Sequence, residues 1–248
     1  MSTFVFVHGS WHGAWCWDKI IFPLQEEGHR VITFDLPGHG LDKTPVNQVT
    51  LKDYTDRLCT ILDNEEEKVI LVGHSMAGLV ISQTAEYRPE KIQTLVYLCA
   101  YLPKNGQSLI QIAQSEKKED DSPSLVVISE DQTFLSLNDE LIRYSFYGDC
   151  SDQDVTKARE KLCLEPFSPF VTPVTLTEKN FGSLPRVYIE TLKDKAISLN
   201  LQRKMYSESL CKAIISLDSD HSPFYSQPHI LAYHLKNIAK VYGAIDKK

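Results

Sequence analysis

A serine in the stretch VILVGHSMAGLV, residues 69–80, stands between an apolar run and a string of small residues. A hydroxyl is a weak nucleophile at its free pKa, so it needs a base to take its proton and a third group to orient that base. Gly73 precedes Ser75, and Ala77 and Gly78 follow it. Side chains this small suit a tight strand-to-helix turn that would push a serine Oγ outward. A serine also caps helices well. The pentapeptide by itself does not separate the two roles.

The base and the acid decide between them. Three histidines follow Ser75: His221, His229 and His234. His229 and His234 lie in the helix-like run QPHILAYHLKNIAKVYG, which suits a surface or edge position. His221 follows the strand-like AIISLDSDH and so sits in a loop just past a strand, where a base would be needed. Asp194 follows the strand-like RVYIETLKD in the same way and completes the order Ser, Asp, His. Asp218 and Asp220 are rivals, but both are too near His221 in sequence to reach its Nδ1 without an awkward local fold.

Ester or amide chemistry also needs N–H groups where negative charge develops on the substrate oxygen. One expected donor is the backbone N–H of Met76, directly after the serine. The other is that of Ser10, in the turn of VFVHGSWHGAW shaped by His8 and Gly9. His8 and His12 are four apart, yet they follow a strand and lack an accompanying carboxylate, so no metal is expected. No cofactor is expected either. Gly9, Trp11, Ser222 and the aromatics Phe134, Tyr144, Phe146 and Tyr147 are candidate pocket walls, along with the Met76 side chain.

These groups need a frame. Continuous apolar runs such as TFVFVHG, VITFDL, KVILVGHS, TLVYLCAYLP, RVYIETL and AIISL read as strands covered on both faces, hence a mainly parallel sheet. WDKIIFPLQEEG and LKDYTDRLCTILDN between them carry apolar stripes at helical spacing. That alternation defines a doubly wound α/β domain with its ligand site beyond the carboxyl ends of the strands. It breaks over residues 103–181, where prolines, the charge run SEKKEDD and the amphipathic LNDELIRYSFYG and SDQDVTKAREKL appear. The expected organisation is a core of residues 1–102 and 182–248 with 103–181 as a helical cap.

Composition narrows the partners. With 248 residues and 42% apolar content, the chain fits one domain with a sizeable core. A net charge of -7 argues against nucleic acid and anionic membranes, which reward clustered Lys and Arg, and favours a small-molecule ligand. A homodimer stays open. No stretch is long and apolar enough to span a bilayer, and the basic region of a signal peptide is missing, so a cytoplasmic location is expected. The six scattered cysteines show neither CxxC pairs nor zinc spacing and read as reduced structural thiols.

Together FVHGSWHGAWCWDKI, VITFDLPGHG, VGHSMAG, FGSLPRVYIETLKDKAI and DSDHSPFYSQP resemble the α/β-hydrolase superfamily, and within it the methylesterase and hydroxynitrile lyase family best known from plants. The resemblance covers the core in order and is weakest between Pro103 and Asn180. It implies a Ser75, Asp194, His221 triad, a helical cap roofing the pocket, and a small, apolar or aromatic ester as substrate. The lyases of the family carry threonine after the first-loop histidine and lysine after the catalytic one, where this chain has Gly9 and Ser222. Serine cannot supply the positive charge that stabilises departing cyanide, so ester hydrolysis through an acyl-enzyme is the expected reaction. Cyanohydrin cleavage and a ligand-binding receptor built on the same scaffold remain as alternatives. Ala77 departs from the family's usual glycine.

Overall fold

A computed structural model describes residues 1–116 and 124–242. Most of the charge run at 115–121 lies outside the described residues. Nine strands are present among those described: β1 (Thr3–Val7), β2 (Arg30–Thr33), β3 (Val69–His74), β4 (Ile92–Leu98), β5 (Val126–Ile128), β6 (Phe134–Leu137), β7 (Glu165–Pro166), β8 (Arg186–Thr191) and β9 (Ala213–Leu217). Six of them form one sheet in the order β2-β1-β3-β4-β8-β9, every pairing parallel. This is the α/β-hydrolase architecture, with helices flanking a parallel sheet. The four central strands are buried almost throughout, whereas the edge strands β2 and β9 alternate or stay half-exposed. Continuous apolar runs therefore mark the centre of the sheet, as two covered faces require.

The helices of the sheet layers are α1 (Asp18–Gln25), α2 (Leu51–Asp63) and α3 (Ala77–Tyr87). In α2, Thr50 and Asp53 form a capping box, and the buried stripe Leu51, Tyr54, Leu58 and Leu62 faces the sheet. Between β4 and β8 come α4 (Leu109–Gln114), α5 (Asp139–Phe146), α6 (Asp152–Arg159) and α7 (Ser168–Val171). After β8 follow α8 (Leu199–Glu208), α9 (Pro223–Ser226) and α10 (Pro228–Tyr242).

The segment between β4 and β8 is mixed rather than purely helical. It carries a three-stranded antiparallel sheet in the order β5-β6-β7. The hairpin between β5 and β6 closes around Gln132, whose φ of 54° lies in the left-handed region. Strands of two to four residues leave too little periodicity to read, so the charged turn SEDQ obscured them. All six cysteines are free, and no helix among the described residues is long and apolar enough to cross a membrane.

Candidate active site

Parallel strands put all their carboxyl ends on one side, and the candidate groups gather there. Ser75 directly follows β3 with φ 55°, a strained value for a residue with a Cβ. Its peptide is fixed on both sides. The Ser75 N–H donates to the Leu98 carbonyl at 3.3 Å, and the Ser75 carbonyl accepts from Gly78 and Tyr101 at 3.1 and 3.0 Å. The turn needs glycine at two positions. A Cβ on Gly78 would stand 1.9 Å from the Tyr101 carbonyl oxygen, and one on Gly73 would stand 2.9 Å from that of Ala77. The Ala77 methyl is buried without such a conflict, which explains why this departure from glycine is tolerated.

His221 Nδ1 lies 2.7 Å from Asp194 Oδ2. The aspartate is held in turn. Its Oδ1 accepts the Ala196 and Ile197 N–H groups at 2.8 Å each, and its Oδ2 accepts the Thr191 hydroxyl at 3.0 Å. A buried carboxylate this well supplied with donors is held in one orientation and fixes the facing ring. The His74 ring packs 4.6 Å from the His221 ring and meets the His221 carbonyl through Nε2 at 2.8 Å. Since a carbonyl only accepts, that Nε2 carries the proton. Phe146 also stacks on His221, at 5.5 Å.

The rival acids are engaged elsewhere. Asp218 is 71% exposed and pairs with Lys193 at 3.1 Å. Asp220 is buried but accepts from Asp149 N–H and the Ser226 hydroxyl. His229 is exposed and His234 half-buried on α10, away from these groups.

Gly9 lies against the serine turn: a Cβ there would sit 2.7 Å from His74 Nδ1 and 2.9 Å from Ser75 Cβ. Ser10 and Met76 are buried, and neither backbone N–H is bonded within the protein among the described residues. Both groups belong to segments that meet at the serine turn: Met76 follows Ser75 in the chain, and Ser10 follows Gly9, whose Cβ position is 2.9 Å from the Ser75 Cβ. Burial without a partner is costly for a donor unless a ligand supplies the acceptor.

Of the other wall candidates, Trp11, Phe146 and Tyr147 are buried and converge. Trp11 packs on Phe146 at 5.9 Å, and the Tyr147 hydroxyl meets His12 Nε2 at 2.6 Å. Ser222 is buried with no partner for its hydroxyl among the described residues. Tyr144 does not join them. It is 61% exposed, with the Lys195 ammonium 6.0 Å from its ring centre, because α5 turns Ile142, Ser145 and Phe146 inward and Tyr144 outward. Phe134 is half-buried in β6 and makes none of the ring contacts around His221.

His8 and His12 spend their nitrogens on protein groups. His8 Nε2 accepts from Leu36 N–H at 3.0 Å, and His12 Nδ1 meets the Ser10 carbonyl at 2.7 Å. Burial lowers both pKa values, that of His12 to about 4. His74, Cys99 and His221 do bring ligand-type atoms within 4.8 Å of one another. Two of those side chains, His74 through Nε2 and Cys99 through Sγ, point at the His221 carbonyl instead. An open cleft of about 400 Å³ at the opposite, amino-terminal ends of the strands is lined by Lys68, Pro89, Ile92, Pro185 and Tyr242 and contains none of the candidate groups.

The fold and the serine turn define the class, and comparison with known proteins agrees. Residues 4–232 match the model of the alpha/beta hydrolase family, to which the chain belongs. The chain is 35% identical to putative methylesterase 11, chloroplastic, of Arabidopsis thaliana, over 98% of this chain and 65% of that protein, so it spans just under two thirds of this longer relative. It is 31% identical to methylesterase 9 of the same plant, over 98% of this chain and the whole of that one. A crystal structure of a methylesterase from Arabidopsis superposes with a TM-score of 0.83 at 29% identity, covering 97% of this chain and 100% of that chain. These similarities support an esterase within the hydrolase class.

Proposed function

We propose that the protein is a serine carboxylic-ester hydrolase acting on a small ester with an apolar or aromatic acyl group, a methyl ester being the first candidate. The observation that carries this reading is the 2.7 Å Asp194–His221 pair beside a serine held at positive φ. Asp194 keeps the His221 Nδ1 protonated, which leaves Nε2 bare to act as base.

In the first half-reaction the Ser75 Oγ attacks the ester carbonyl carbon while His221 Nε2 takes the hydroxyl proton. The carbonyl oxygen becomes an anion facing the Met76 and Ser10 N–H groups, each worth about 3 kcal/mol of transition-state stabilisation. The C–O bond to the alcohol then breaks, His221 returns the proton to the leaving oxygen, and an acyl-Ser75 ester remains. Water repeats the sequence in reverse roles and releases the acid. Trp11 and Phe146 offer an apolar wall, and a dry site strengthens every charge interaction inside it.

Gly9 bears on the alternative. A threonine here would bring its Cβ within 2.9 Å of the Ser75 Cβ, so this loop as built has no room for the hydroxyl that the lyases of the family use. The same proposal keeps a cytosolic location, against which the chloroplastic labels of several relatives stand. Imaging of a fluorescent fusion of the natural gene tests that point.

The direct test is Ser75→Ala against a panel of methyl, aryl and acyl esters, with intact mass spectrometry of the wild-type protein during turnover. Loss of at least about 10³-fold in kcat and a mass increase equal to the acyl group are expected. Hydrolysis at the parent rate in the variant would overturn the reading, and cyanide release from mandelonitrile would favour the lyase.

A further inference from the structure

Apart from bonds internal to residues 9–12 and the His8 Nδ1 contact with the Gly9 carbonyl at 2.9 Å, the segment that presents the Ser10 N–H is held by the insertion between β4 and β8. Trp11 N–H donates to Glu165 Oε2 at 2.8 Å, and the Trp11 carbonyl accepts from Cys163 N–H at 3.0 Å. The Trp11 indole donates to the Leu135 carbonyl at 3.2 Å. Trp11 needs such restraint, because its φ of 61° is a left-handed conformation that a bulky side chain resists. Released from these bonds, the residue would relax toward ordinary φ and rotate the peptide units beside it.

Glu165 is an unusual group to find in that role. It is fully buried, and its carboxylate meets only groups far from it in sequence. Its Oε2 also faces His39 Nε2 at 2.9 Å, and its Oε1 accepts the Tyr54 hydroxyl at 3.0 Å. His39 Nδ1 faces the Pro37 carbonyl at 3.1 Å. Both ring nitrogens of His39 thus face oxygen acceptors, an arrangement that favours the ring with a proton on each. Burial lowers the His39 pKa, but the Glu165 charge and hydrogen bond outweigh it and the net direction is up. A buried pair of this kind is weak evidence for stability, since an apolar pair of the same volume often folds as well. What an apolar side chain could not do is accept the Trp11 N–H.

We propose that Glu165, ion-paired to His39, is a positioning residue that acts through the Trp11 N–H to hold the Ser10 N–H in line with Ser75. The insertion then sets the oxyanion geometry as well as covering the site. This rests on the esterase reading above, in which Ser10 N–H meets the developing oxyanion.

The test compares Glu165→Ala and Glu165→Gln with the wild type for kcat, KM and inhibition by an aryl trifluoromethyl ketone, whose hemiketal oxygen occupies the oxyanion position. The carboxamide oxygen can still accept from Trp11, so Glu165→Gln retains more activity than Glu165→Ala. In Glu165→Ala kcat falls by at least about tenfold, short of the roughly 10²–10³-fold loss of a whole donor, with KM within about threefold. Inhibitor affinity weakens by the same factor as kcat/KM, a correlation that a merely structural defect would not produce. If Glu165→Ala does not fold, Glu165→Gln carries the same paired readout. A folded Glu165→Ala with kcat within about twofold of the wild type, or either folded variant with kcat lost and inhibitor affinity unchanged, overturns the inference. Survival of activity in Ser75→Ala would instead overturn the esterase reading on which it stands.

Discussion

The two candidate oxyanion donors are held in opposite ways. Met76 belongs to the core: the preceding peptide is tied to Leu98, Gly78 and Tyr101, all on or beside adjacent strands and the following helix. Ser10 belongs to a loop whose far side is gripped by Glu165, Cys163, Leu135 and Tyr147 from the insertion. One half of the site is thus built by local turn geometry. The other half is assembled by side chains and backbone groups more than a hundred residues away, and only the second can vary with the insertion while the sheet stays the same.

Breaking the core half should have the largest effect. In Gly78→Ala the new methyl would stand 1.9 Å from the Tyr101 carbonyl oxygen, a backbone atom that cannot swing aside. The turn must open, which costs about 3 kcal/mol and displaces both Ser75 and the Met76 N–H. Urea denaturation should show that loss, and hydrolysis of p-nitrophenyl acetate should fall below detection. A variant with native stability and activity would mean that the serine turn is softer than its contacts imply.

The same contrast explains what the sequence could reveal. Ser75, Asp194 and His221 each follow a strand end, so chain order alone paired the acid with the base that the fold brings to 2.7 Å. The parallel sheet was legible because apolar runs covered on both faces leave no other arrangement. Glu165 was invisible. In LCLEPFSPF it reads as a surface charge beside a proline, and only the fold surrounds it with Trp11, His39 and Tyr54, which are 154, 126 and 111 residues away. Tyr144 misled for the converse reason, since an aromatic in an amphipathic run carries no mark of which way its helix will face.

Acid should sharpen the comparison next, because the loop half is rich in buried neutral histidine. His12 is pulled to about 4, first by burial, although its bond to the Ser10 carbonyl opposes the shift. The rings of Trp15, Phe146, Tyr147, Phe224 and His74 surround it. None of these supplies a counter-charge. His8 and His74 are lowered for the same leading reason. A histidine with a lowered folded pKa leaves stability intact above its unfolded value near 6.5 and drains it as pH falls toward the folded value. For His12 alone the loss between pH 6.5 and 5 is about 2 kcal/mol. His39 is raised, so its contribution is complete below 6.5 and declines only as pH rises through its folded value; it cannot cause the acid loss. Thermal unfolding from pH 7 to pH 5 should therefore show a falling midpoint, and His12→Gln should flatten that slope. An unchanged slope would place the acid sensitivity in His8 and His74 instead.

Tyr147→Phe should give the smallest effect and the most selective one. His12 Nδ1 donates to the Ser10 carbonyl, which leaves Nε2 as an acceptor for the Tyr147 hydroxyl at 2.6 Å. Removing that hydroxyl leaves Nε2 buried without a donor, at a cost of about 1 kcal/mol, and frees one cap contact while Glu165 still holds Trp11. The Ser10 peptide is then restrained from one side only. Since its N–H acts in the transition state, kcat should fall roughly fivefold with KM nearly unchanged. The Met76 half should be untouched, so Ser75 should still become phosphonylated to the same final stoichiometry by a fluorophosphonate, with loss of fluoride, only more slowly. Equal slowing of kcat and a rise in KM would instead assign Tyr147 to the pocket wall, and no change in either would show that Glu165 and Cys163 suffice to hold the loop.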